Sequence, residues 1–123
     1  VSPVQREATL TDAEFAMVRE GMGFTRSQIA ARLGVSVQTI GHWESGKYAV
    51  PKGVGVELEE LEGRWIGTIE ALAAHMRDAR ESVLAVPRGG ADGFPPGWHR
   101  SIAHQVTLRD PSLTVEYADG HEG

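Results

Sequence analysis

Five histidines and seventeen carboxylates are the residues of this 123-residue chain that could support metal or acid–base chemistry. Their spacing argues against both. His99 and His104 stand five apart, about 140° around a helix, so they cannot close on one ion as an i, i+4 pair does. His42 and His75 are isolated in sequence, and Gly89-Gly90 precedes another loop instead of opening a helix after a strand, so no phosphate cradle is expected. The chain has no cysteine, which removes a zinc finger, a thiol nucleophile and a disulfide framework together. No metal, no cofactor and no enzymatic activity are predicted. What remains is recognition chemistry, concentrated in LGVSVQTIGHWESGKY, residues 33 to 48. At helical spacing Ile40 and Trp43 share an inward face, while Val37, Gln38, Gly41, His42 and Ser45 look outward.

The formal charge of −5 speaks against indiscriminate binding to nucleic acid or membrane, but its distribution matters more than its sum. Between Phe24 and Lys52, Arg26, Arg32, Lys47 and Lys52 face Glu44 alone, while acidic residues crowd into Glu57–Glu62 and the segment from Asp110 onward. A local basic patch on an acidic chain suits specific DNA binding with weak non-specific binding. No run approaches the roughly 18 apolar residues of a membrane span, and VSPVQREATL lacks the basic start and apolar core of a secretory signal, so a cytoplasmic location is expected.

These side chains need elements to hold them. Thr11 to Glu14 reads as a capping box ahead of Phe15, Val18 and Met22, predicting a first helix from about Asp12 to Gly21. Thr25 caps a second, Arg26 to Leu33, with Ile29, Ala30 and Leu33 inward. Gly34 follows where a chain leaving a helix needs positive φ, and Ser36 caps a third helix, Val37 to Glu44, which Gly46 stops. From Val54 to about Glu81 a long helix carries the apolar stripe Leu58, Leu61, Trp65, Ile69, Leu72 and Met76. Three short helices cannot cover all of it, so part is expected to meet another helix, from a second copy. Strands are predicted at Ser82–Val86 and Leu113–Tyr117, flanking a Gly/Pro loop and a helix from Gly97 to Leu108; two strands and one helix are little to stand alone. The chain therefore divides into an arm (1–10), a head (11–62) and a tail (63–123).

Between Arg26 and Gly46, two helices must cross steeply at close range, with Ala30 giving room at the crossing, Gly34 the bend, and Ile40 and Trp43 the anchors: a helix-turn-helix. FTRSQIAARLGVSVQTIGHWESG resembles the Cro/C1-type (XRE) helix-turn-helix family of regulators. ESGKYAVPKGVGVELEELE with the later PGWHRSIAHQV is more narrowly similar to small anti-CRISPR-associated autoregulators, in which such a head precedes a dimerising tail.

The resemblance implies a mainly α fold: a helix-turn-helix head of four to five helices with a small C-terminal α/β dimerisation tail. It places Val37, Gln38 and His42 at base edges, and Thr25, Arg26, Thr39, Lys47 and Tyr48 at the DNA backbone. Arg19 and Glu44 match positions that form a buried ion pair in several members. Chemistry agrees: Gln can bond N6 and N7 of adenine, Val offers apolar contact to a thymine methyl, and Gly41 lets the groove wall come close. Dimerisation is assigned to Leu58, Leu61, Trp65, Ile69, Leu72, Met76, Trp98 and Tyr117. The expected function is a homodimeric, autoregulatory repressor on an inverted-repeat double-stranded DNA operator. The alternative is an antitoxin whose tail, through Phe94, Trp98 and Tyr117, binds a toxin or other protein partner while its head represses the shared operon.

Overall fold

The computed structural model describes residues 10–119. Its elements are α1 (Asp12–Gly21), α2 (Arg26–Leu33), α3 (Val37–Ser45), α4 (Lys52–Ala79), β1 (Val83–Val86), α5 (Pro96–Arg109) and β2 (Thr114–Tyr117). The chain forms two compact units that meet in sequence between Glu62 and Gly63, so α4 contributes its first turns to one and the rest to the other. All but the last residue of the expected arm lies outside the described residues.

In unit 1 the helix boundaries follow from local chemistry. The Thr11 and Thr25 side chains each accept from the amide three residues on, and Glu14 and Gln28 reach back to the cap amides, completing two capping boxes. At the far end of α2, Gly34 adopts φ 74°, which lets Val35 N–H reach the Ala30 carbonyl at 3.0 Å. Gly46 does the same for α3 at φ 82°, with Lys47 N–H on the His42 carbonyl at 2.9 Å. A side chain at either position would pay for the left-handed backbone, and at Gly46 an added Cβ would also sit 2.9 Å from Asp12 Oδ2. Helix α3 runs one residue beyond expectation because Ser45 precedes that turn.

Helices α1 and α2 both pack on α3 around Phe15, Met22, Phe24, Ile29, Ala30, Ile40, Trp43 and Val50, all buried. Phe15 meets Trp43 edge-on with ring centroids 5.6 Å apart. Truncating a buried aromatic of this kind typically costs about 3–5 kcal/mol.

Unit 2 is a β-α-β arrangement: β1 and β2 pair in parallel, with Val83 opposite Thr114 and Val86 opposite Tyr117, and α5 between them in sequence packs on β1. Leu84 and Val86 point inward, toward a core that includes Phe94, Trp98, Ile102, Ala103, Val106 and Leu113. Trp98 stacks on Phe94 at 4.0 Å, and Trp65 Nε1 donates to Ser101 Oγ at 2.9 Å, tying α4 to α5. Past the strands, Arg88 binds Asp119 at 2.6 Å and lies over the Tyr117 ring.

Two expectations need correction. Helix α4 starts earlier and ends earlier than its apolar pattern suggested. Pro51 supplies the first acceptor, and Arg80, with φ 58°, turns the chain out so that Glu81 N–H returns to the Met76 carbonyl at 3.1 Å. Leu58, Leu61, Ile69, Met76 and Trp98, assigned to a dimer seam, are buried within this single chain, Leu58 and Leu61 in unit 1 and the others in unit 2. The stripe is long because the helix serves two successive cores, so no second copy is required to cover those five side chains. Trp65, Leu72 and Tyr117 are half-buried.

Candidate nucleic-acid interface

Ser36 starts the exposed helix of unit 1 by accepting from Thr39 N–H at 3.0 Å, and the two hydroxyls share a 2.8 Å hydrogen bond. Thr39 is thereby half-buried and committed to the cap, more than its expected role at a phosphate or base requires. Val37 and Gln38, in the first turn of α3, are exposed, and Val37 keeps 47% of its surface open although it is apolar. Ile40 and Trp43 point the other way, into the core.

At the other end of α3, His42 is half-buried, its ring edge-on to the Tyr48 ring at 5.1 Å, and the Lys47 ammonium lies 5.7 Å from the Tyr48 ring. The structure thus brings His42, Lys47 and Tyr48 into one cluster beside the first-turn pair, although His42 is less open than its helical position suggested. Gly41 lies between the two groups, and a Cβ added there would meet nothing within 4 Å.

A buried ionic tie holds this helix. Arg19, on α1, gives Nε to Glu44 Oε2 at 2.6 Å and Nη2 to Oε1 at 3.0 Å, while its Nη1 donates to the Phe24 carbonyl at 2.9 Å. Its Nη2 also meets the exposed Glu20 carboxylate at 3.3 Å. Burial pushes the Glu44 carboxyl up, but hydrogen bonds and charge from Arg19 and Arg26 outweigh it and hold the group below the usual carboxylate range. Arg26 joins the same carboxylate, Nε to Oε1 at 2.9 Å, a contact that sequence reasoning missed. No local pattern signals it: Arg26 opens α2, Glu44 lies in the last turn of α3, and only the crossing of the two helices brings them together.

The basic stretch changes character in three dimensions. Its one acid, Glu44, is inside with a side chain 3% exposed, so the surface between Phe24 and Lys52 shows its cations. Thr25 and Arg26 lie exposed at the N-terminal end of α2, where the unpaired amides and helix dipole favour an anion. An exposed helix turn that offers an amide and an apolar group, on a unit that also exposes cations, suits a major groove and its phosphates. Among the described residues no three His, Asp or Glu side chains cluster closely enough to hold a metal, and no helix is long and apolar enough to cross a membrane.

This is the geometry of a helix-turn-helix DNA-binding domain. Residues 15–61, less than half of the chain, match a helix-turn-helix family model, which supports a DNA-binding transcription regulator of the Cro/C1-type (XRE) kind. No curated protein matches the chain significantly.

Proposed function

We propose that the protein is a sequence-specific transcriptional repressor that binds an inverted-repeat operator as a homodimer and controls its own promoter. The observation that carries this reading is the exposed first turn of α3, where Val37 and Gln38 stand clear of the core, with the exposed cations Arg26 and Lys47 in the same unit. Gln38 reads adenine, Val37 a thymine methyl and His42 a neighbouring base or phosphate; Arg26, Lys47, Tyr48 and the amides near Thr25 set the register on the backbone. One reading helix covers a half-site, so two-fold symmetry doubles both contact area and specificity, with half-sites about 34 Å or a multiple apart. Repression is steric, the bound dimer excluding polymerase.

The antitoxin alternative rested on aromatic side chains available to a partner. Phe94 and Trp98 are buried against each other, and Tyr117 is half-buried under Arg88, so these three side chains are not the open surface that alternative invoked.

Selection of bound sequences from a random double-stranded pool tests the proposal. A palindromic consensus that occurs upstream of the protein's own gene is the expected outcome. Enrichment of no sequence would overturn the reading, and sedimentation as a monomer at micromolar concentration, on and off DNA, would remove the dimer from it.

A further inference from the structure

Glu44 is shared by two arginines of opposite circumstance. Arg19 is buried, its side chain 8% exposed, and takes both carboxylate oxygens; Arg26 is 55% exposed and takes one of them through Nε at 2.9 Å. The three charges run from the core to the start of α2. Glu20 also touches Arg19, but its carboxylate is 69% exposed and screened by water. Inside, then, one carboxylate stands against two guanidinium groups, and the surplus positive charge lies on the member that faces solvent.

Building on the DNA-binding reading above, we infer that Glu44 is a positioning residue for the DNA contact. It fixes the Arg26 guanidinium through Nε at the N-terminal end of α2, leaving the terminal nitrogens for a phosphate. Arg19 makes this workable. Without it Glu44 would neutralise Arg26; with it, the pair Arg19–Glu44 is balanced and Arg26 keeps its charge. A free arginine loses side-chain freedom when it docks on a phosphate, whereas one already tethered at Nε has given up much of that freedom beforehand. The carboxylate never meets DNA. Its effect passes through Arg26, and this separates it from a residue that only holds α1 to α3.

The test is a two-by-two comparison of operator affinity for the full chain: wild type, Glu44→Gln, Arg26→Ala and both changes together, measured well below the melting temperature of the weakest variant. Glu44→Gln should weaken binding about two- to tenfold, the immobilisation cost of one long side chain, and should have no further effect once Arg26 is alanine. Arg26→Lys leaves the Arg19–Glu44 pair intact and keeps the charge. It should nevertheless bind as weakly as Glu44→Gln, because a single ammonium cannot hold Glu44 and a phosphate in the same geometry. Equal losses from Glu44→Gln with and without Arg26 would mean a purely structural role, and tighter binding by Glu44→Gln would mean that Glu44 opposes the contact. Either outcome, or wild-type affinity for Arg26→Lys, overturns the inference while leaving the repressor reading in place. A wild-type protein that binds no DNA overturns both.

Discussion

Gln38 and Lys47 sit about two turns apart on and beyond the same helix, yet they should fail differently. If Gln38 reads adenine as proposed, Gln38→Ala should cost about 1–3 kcal/mol at one position per half-site and relax preference there. Lys47→Ala should weaken binding to every sequence alike and lower the salt slope by about one counterion. A binding matrix against operators substituted at each position separates the two, and identical profiles would deny α3 its reading role. Glu44 makes a prediction about acid. Its carboxyl is held below the ordinary value near 4.5, so its contribution to stability is complete above that pH and is lost as pH falls through the lower folded value. Thermal melts from pH 6 downward should show a loss for wild type that is smaller in Glu44→Gln. At this scale the sequence was legible where a pattern is local or a family position is fixed, as with the Arg19–Glu44 pair. It was not legible for Arg26, whose partner lies eighteen positions away and depends on how two helices cross.

Helix ends were the easiest elements to read, because Thr, Ser and Gly announce caps through chemistry confined to a few residues. The end of α4 was harder, since Arg80 occupies the left-handed position that glycine takes at the ends of α2 and α3. Arg80→Gly should therefore stabilise the protein by about 1 kcal/mol, read as a rise in the denaturant midpoint; an unchanged midpoint would mean the left-handed turn costs arginine nothing here. Helix α3 offers the complementary case. Gly41 has open space where a Cβ would go, so Gly41→Ala should stabilise the free protein by about 0.5–1 kcal/mol. If that space is where the groove wall approaches, the same change should weaken operator binding, and a variant both more stable and equally tight would show that the DNA stays clear of Gly41. The apolar stripe of α4 was correctly seen, but four of its members, Leu58, Leu61, Ile69 and Met76, are covered within this chain. A helical period reports that a face is covered, not whether the cover comes from the same chain.

The molecule as a whole is a mainly helical chain whose two units draw on different kinds of contact. Unit 1 is built from neighbours in sequence, which is why its outline could be read residue by residue. Unit 2 depends on β1 meeting β2 in parallel, a pairing that the sequence did not disclose because two short apolar runs look alike in either direction. That register has a consequence in time. Thr114 lies 31 residues beyond its partner Val83, so the sheet cannot form until the intervening chain, α5 included, has closed a loop, while the helices of unit 1 need no such search. Trp43 is the one tryptophan of unit 1, with Trp65 and Trp98 in unit 2, and variants that keep only one kind give each unit its own fluorescent clock. In refolding from denaturant, the Trp43 signal should recover before the other; simultaneous recovery would mean that the two units fold as one. A chain that completes α3 early would present a finished helix-turn-helix head while the rest of the same polypeptide is still finding its strands.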